Sequence, residues 1–171
     1  MEVVDRREFV LRCHDLRSRG NRLVFTNGCF DIVHRGHAEY LAAARRLGDL
    51  LVVAVNSDAS VRKLKGPGRP IVTEEDRAEV VAALRAVDLV TIFDDDTPLD
   101  LIREILPDVL VKGGDYDPDA TEGSAYIVGS TEVRGAGGTV AVIPLLPGRS
   151  TSGIARQLSD RLSIAKQGPR R

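Results

Sequence analysis

Leu50-Leu51-Val52-Val53-Ala54-Val55 is an unbroken apolar run, and no other feature of the chain restricts its folding more. A half-exposed antiparallel strand alternates apolar and polar residues, whereas a strand covered by helices on both faces reads as a continuous aliphatic run. A second run, Leu23 to Thr26, precedes it. Between the two, Ala38, Leu41, Ala42 and Ala44 fall at helical spacing over His37 to Leu47, ahead of Gly48. Two parallel strands need a long crossover, and a helix of this length supplies one.

The same alternation recurs along the chain. Phe9, Val10, Cys13 and Leu16 predict an amphipathic helix stopping near Gly20. Thr73 and Asp76 read as a capping box that opens a helix to Leu84, and Asp88 to Phe93 as the next strand. Thr97, Pro98 and Asp100 open another helix, because Pro at the first helical position gives up only an orphan N–H. Val109 to Val111 and Thr139 to Ile143 bring the strands to five. Ser150 to Leu162 is a closing helix capped by Ser or Thr, followed by a polar tail over 163–171. The expected architecture is one α/β domain over 1–171 with its core at about 6–162. It is a Rossmann-like, doubly wound, five-stranded, mostly parallel sheet with helices on both faces. Ligands then bind beyond the C-terminal strand ends.

Charge and cysteine content remove several classes of function. Against 25 Asp and Glu stand 24 Lys and Arg, a net charge of -1, so no global basic field exists to grip nucleic acid. An anion site has to be built locally. No apolar run approaches the roughly eighteen residues of a membrane span, and the charged start lacks the apolar core of a signal peptide, which makes the cytoplasm the expected compartment. Cys13 and Cys29 are too few for a disulfide framework and read as packed thiols.

The chemistry concentrates in Thr26-Asn27-Gly28-Cys29-Phe30-Asp31-Ile32-Val33-His34-Arg35-Gly36-His37, between the first strand and its helix. Gly28 permits a tight turn with close approach of a ligand to backbone N–H groups, and Gly36 keeps the helix entrance open between two imidazoles. A helix N-terminus favours phosphate, each such charge contribution being ~0.3–1 kcal/mol. His34 and His37, three apart, can face the same way and bring two donors to that point. A zinc site from Cys29, His34 and His37 lacks the familiar ligand spacing. Gly28 to Gly36 is the wrong interval for a dinucleotide fingerprint, and no Walker A motif is present. Capping and packing alone remain the alternative for the histidine pair.

Other segments carry paired readings. Arg62, Lys63, Lys65 and Arg69, with no acid among residues 61–69, form a phosphate clamp on a Gly-Pro-rich loop or a solvated face. Arg77 is a surface charge or a phosphate ligand. Lys112-Gly113-Gly114-Asp115 follows a strand, and its glycines let backbone approach a base or ribose unless it is a simple loop. Ser150-Thr151-Ser152 at a helix start caps the helix and also offers hydroxyls and N–H groups to a phosphate. Asp94-Asp95-Asp96 reads as a loop and helix-start acid cluster rather than a metal site.

Gly28-x-Phe30-Asp31-x-x-His34-x-Gly36-His37 resembles the signature of the cytidylyltransferase-like nucleotidyltransferases. Asn56-Ser57-Asp58, Lys63-Leu64-Lys65-Gly66, Arg69-Pro70, Arg77, Leu110 to Tyr116 and Ser150-Thr151-Ser152 are similar to the heptose 1-phosphate adenylyltransferase branch, over about residues 6–160. Leu146-Pro147-Gly148-Arg149 departs from the Arg-Thr-Glu-Gly of the glycerol-phosphate branch, and the stretch from Asp115 to Val133 is longer than the heptose branch leads one to expect.

The resemblance implies attack by a sugar-phosphate oxygen on the α-phosphorus of ATP, with Mg²⁺ brought by the nucleotide and no dedicated metal ligands. It makes His34, His37, Lys63, Lys65 and Arg77 catalytic. Thr26, Asn27, Gly28, Cys29, Phe30, Gly36, Lys112, Gly113, Gly114, Asp115, Ser150, Thr151 and Ser152 become nucleotide-binding, and Asp31, Asn56, Asp58 and Arg69 sugar-phosphate-binding. The branch is often fused to a sugar kinase, so a kinase on a separate polypeptide is an expected partner, and a second copy of the chain is another candidate. The competing readings are a glycerol 3-phosphate or related cytidylyltransferase using CTP, an enzyme that makes a flavin or pyridine dinucleotide, and a nucleotide-binding module without turnover.

Overall fold

Five apolar runs become five strands, β1 (Leu23–Gly28), β2 (Leu50–Asn56), β3 (Leu89–Phe93), β4 (Val109–Gly113) and β5 (Thr139–Ile143), all parallel and ordered β3-β2-β1-β4-β5. The structure, a computed structural model, describes residues 2–114, 116–146, 148 and 151–166, apart from the side chains of 152, 159, 160 and 162–166. Asp115 and Ser150, both expected at the site, lie outside the described residues, as does 167–171.

Alternation along buried strands sends side chains to two cores. Val24, Leu51, Val53, Val55, Val90, Val109 and Val111 pack on one face with Tyr40, Leu41 and Ala44 of α2 (Arg35–Arg45) and with Ala78 and Val81 of α4 (Glu74–Ala82). Leu23, Phe25, Val52, Ala54 and Leu110 point the other way. They meet Phe9 and Cys13 of α1 (Arg6–Ser18), Leu101, Ile102 and Ile105 of α5 (Leu99–Ile105), and Val133 of α6 (Ser130–Gly135). A fully buried Leu or Phe contributes about 1.5–3 kcal/mol, so covering both faces is what holds the continuous runs in a sheet. Among the described residues no helix is long and apolar enough to cross a membrane.

Several boundaries differ from the expected ones for local reasons. The stretch expected as a basic loop begins as a helix, α3 (Asp58–Lys65), whose N-cap Ser57 accepts from Ser60 N. Only Ser60 and Val61 are buried on it, too weak a periodicity to read ahead of Gly66-Pro67-Gly68. Thr73 accepts from Asp76 N at 3.4 Å, and Pro98 is the N-cap of α5 rather than its first residue. The closing helix α7 (Thr151–Lys166) runs four residues past Leu162, into the expected tail.

Candidate active site

The strand order reverses between β1 and β4, since β2 and β3 extend the sheet to one side and β5 to the other. Crevices form at such a switch point, beyond the C-terminal strand ends. A cleft of about 460 Å³ opens there. Asn27, Gly28, Cys29 and Phe30 line it from the end of β1, Asn56 from β2, Lys112 and Gly113 from β4, and His37 and Tyr40 from α2.

The turn that leaves β1 is set by Phe30, whose φ is +47°, and by Gly28, where a Cβ would stand 3.1 Å from the Phe30 ring. His34 ends this turn as the N-cap of α2, so His37 falls on the first helical turn. The two imidazoles stack, with centroids 4.0 Å apart and planes inclined by 24°, and Phe30 lies tilted against His37 at 5.4 Å. His37 Nδ1 accepts from the His34 backbone N–H at 3.4 Å, which leaves the ring proton on Nε2. Burial, reinforced by His34 and the Lys65 charge, pulls the His37 pKa down to about 4. At neutral pH His37 is therefore an uncharged Nε2–H donor at a helix N-terminus. His34 stands against it without lining the cleft itself.

Among the described residues, two cations line the cleft. Lys65 ends α3, and Lys112 reaches across from β4 to donate its Nζ to Asn27 Oδ1. Burial pulls the Lys112 ammonium down to about 8. Lys63, two residues before the end of α3, is exposed and pairs with Asp96 at 2.7 Å, so it stands at the rim. Asp96 itself lines the cleft with Thr97 and Pro98. Thr151, at the start of α7, closes one side. The side chain of Ser152 is outside the described residues.

Other expected site residues are engaged within the protein. Arg77 is 1% exposed. Its Nε donates to Val72 O at 3.0 Å, Nη1 to Cys29 O, and Nη2 to Asp58 at 2.7 Å. These bonds tie α4 and α3 to the turn after β1 and leave Arg77 outside the cleft lining. Asp31 is also buried and accepts from Arg69, Ile71 N and Val72 N. Those donors hold its carboxyl below the usual range despite burial, which acts the other way. Asp31, Asp58 and Arg69 thus form a scaffold outside the cleft lining, and of the expected sugar-phosphate set only Asn56 lines it. Thr26 lies beneath the floor, its hydroxyl 2.6 Å from Tyr40. Gly36 and Gly114 are likewise outside the lining.

The cleft also contains residues that pattern reading did not single out, namely Tyr40, Tyr126, Val128 and Leu145. Tyr40 reads as an ordinary apolar position of the amphipathic α2, and Leu145 follows β5 in a stretch without periodicity. Tyr126 and Val128 come from the long 115–133 stretch, whose length was the only signal.

Among curated relatives, the bifunctional protein HldE of Syntrophotalea carbinolica is 54% identical over 145 residues, 85% of this chain and 28% of that protein. HldE of Photorhabdus laumondii is 54% identical over 147 residues, 86% of this chain and 30% of that protein. The chain spans under a third of the length of these relatives. A lipopolysaccharide core biosynthesis protein from Thermoplasma volcanium superposes with a TM-score of 0.57 at 29% identity, covering 74% of this chain and 98% of that one. A pantoate-beta-alanine ligase from Francisella tularensis shares the fold, with a TM-score of 0.56 at 14% identity over 90% of this chain and 69% of that one. The family model described as cytidylyltransferase-like matches residues 25–157, from β1 into α7. With the donors of α2, α3 and β4 gathered at the switch point of such a sheet, the chain belongs to the cytidylyltransferase-like family of nucleotidyltransferases.

Proposed function

We propose that this domain transfers AMP from ATP to a heptose 1-phosphate, releasing pyrophosphate and forming ADP-heptose. The observation that carries the reading is the convergence of the neutral His37, Lys65 and Lys112 on one cleft at the N-terminus of α2. An oxygen of the sugar phosphate forms the new bond to the α-phosphorus as the bond to the bridging oxygen of pyrophosphate breaks. The attacking oxygen is already ionised, so no side chain has to act as nucleophile or base. The protein's work is to align the two phosphates and to stabilise the charge shifting onto α-phosphoryl and leaving-group oxygens. His37 Nε2–H, Lys65 and Lys112 are donors for that charge, and one such donor is worth ~2.7–4 kcal/mol in the transition state.

His34 supports this arrangement by holding the His37 ring through stacking and through its backbone N–H. Thr151 offers a hydroxyl at the start of α7. Asn56 and Asn27 line the cleft with one amide atom each already bonded, Asn56 Nδ2 to Ser60 and Asn27 Oδ1 to Lys112. Their remaining amide atoms are offered to sugar or ribose hydroxyls, and a site that hydrogen-bonds such hydroxyls rejects acceptors lacking them. Asp96 is the one described carboxylate of the lining and already pairs with Lys63, so these residues make no cage for Mg²⁺. The ion enters as part of the nucleotide substrate, bound chiefly by phosphate oxygens and water.

The heptose assignment rests on the resemblance over Leu110 to Tyr116 and over Asp95 to Pro107, and is supported by the likeness to a protein of lipopolysaccharide core biosynthesis. A sugar kinase reaction then supplies the acceptor, and the cytoplasm supplies the ATP. The test is to incubate the purified protein with each nucleoside triphosphate and a pool of sugar 1-phosphates and glycerol 3-phosphate, identifying products by mass. ADP-heptose formed with ATP is the expected product. Faster turnover of glycerol 3-phosphate with CTP would replace this reading with the cytidylyltransferase one.

A further inference from the structure

β1 and β4 are neighbours, yet their registered pairing covers only Val24↔Val109 and Phe25↔Leu110. β1 and β2, by contrast, stay in register up to Gly28↔Val55. Beyond Phe25 and Leu110 it is side chains that span the gap. Tyr40, 7% exposed and one turn of α2 past His37, donates its hydroxyl to Val111 O at 3.2 Å. With that proton committed, the 2.6 Å contact to Thr26 Oγ1 has Thr26 as donor. One residue further along each strand, Lys112 Nζ donates to Asn27 Oδ1. The Tyr40 ring also occupies the space above β4, since a Cβ on Gly113 would lie 3.0 Å from its Cε2. Two bridges, at successive positions along the strands, therefore join them where the registered pairing stops and the crevice begins.

We propose that Tyr40 is a positioning residue, whose hydroxyl staples β1 to β4 at the mouth of the crevice and thereby holds the Lys112 ammonium where it meets the phosphates of the nucleotide. The proposal rests on the nucleotidyltransferase reading of the cleft. The Tyr40 ring lines the cleft, but its hydroxyl is spent on Val111 O and Thr26, so the effect of that hydroxyl on the ligand passes through Lys112. Without the hydroxyl, the Lys112–Asn27 bond is the side-chain tie left between the strands at this level among the described residues, and the crevice widens and admits water around the ammonium.

The experiment compares wild type with Tyr40→Phe, Thr26→Val, Lys112→Met and the Tyr40→Phe/Lys112→Met double variant. Calorimetry measures ATP binding, and NMR of ¹³C-labelled lysine follows the Lys112 titration, identified by its loss in K112M. Tyr40→Phe keeps the ring. Thr26→Val removes the other end of the bridge at constant shape and serves as the second probe where Y40F folds poorly. The expected result is an ATP Kd raised about 5-fold or more in Y40F, the size of one net hydrogen bond. With it the Lys112 titration moves up from about 8, and Y40F causes no further loss in the K112M background. A purely structural Tyr40 leaves the lysine titration in place and weakens ATP equally in both backgrounds, which overturns the proposal. Should the titration move while K112M binds ATP as wild type does, the staple stands, but the phosphate role of Lys112 falls and the reading of the cleft falls with it.

Discussion

Replacing His37 by Asn should flatten the dependence of folding stability on pH between about 6.5 and 4. In the unfolded chain the imidazole titrates near 6.5, whereas burial and the neighbouring positive charges bring it to about 4 in the folded state. As pH falls through this window the unfolded state takes up a proton that the folded state refuses, so stability is full above the upper value and lost progressively toward the lower. The shift caps the effect at roughly 3 kcal/mol, at about 1.36 kcal/mol per unit. The ring faces an open cleft, and solvent screening reduces the expected loss to about half, ~1.5 kcal/mol. For a domain of this size that corresponds to a melting temperature lower by about 3–6 °C. The Asn side chain removes the titration while still able to accept from the His34 backbone N–H. Urea unfolding at pH 7.5 and 4.5 on both proteins isolates the effect, because carboxylates titrating in the same range cancel in the difference. An identical pH dependence in wild type and H37N would refute a buried, neutral His37, and with it the uncharged donor at the head of α2.

Four further outcomes are expected. Nucleotide affinity should decline as pH rises through about 8, where the Lys112 ammonium is lost, and K112M should show no such decline by calorimetry. Arg77→Met should lower stability by ~3–5 kcal/mol in urea because it strands buried acceptors and Asp58; a stable variant defective only in turnover would return Arg77 to the phosphates. Asp31→Ala should cost a similar ~3 kcal/mol, since it leaves Arg69 and two backbone N–H groups without their acceptor, and normal stability would remove its scaffold role. Hydrogen exchange across residues 61–69 should slow when a non-hydrolysable ATP analogue binds, as Lys63 and Lys65 engage the triphosphate; unchanged exchange at saturation argues against that engagement.

The parallel sheet was legible because its cause is local and repeated. Runs such as Leu50 to Val55 can be stable only when covered on both faces, and the helical spacing between them supplies the cover. The place of the candidate cleft follows from a similar local cause, since Gly28, His34, Gly36 and His37 sit where a strand hands over to a helix N-terminus. What each charged residue does there was not. Arg77 and Asp31 have the composition of phosphate and sugar ligands, but the fold brings Asp58, Cys29 O and Val72 O to the first, and Arg69, Ile71 N and Val72 N to the second. A buried charge takes whatever partners surround it, and those come from segments far apart in sequence. Tyr40 shows the converse: by spacing it is an apolar residue of an amphipathic helix, and only the parting of β1 from β4 gives its hydroxyl two strands to join. Periodicity and helix-start chemistry act between near neighbours and can be read from the chain, whereas the choice between a charge that braces the fold and one that faces a ligand is made by long-range packing.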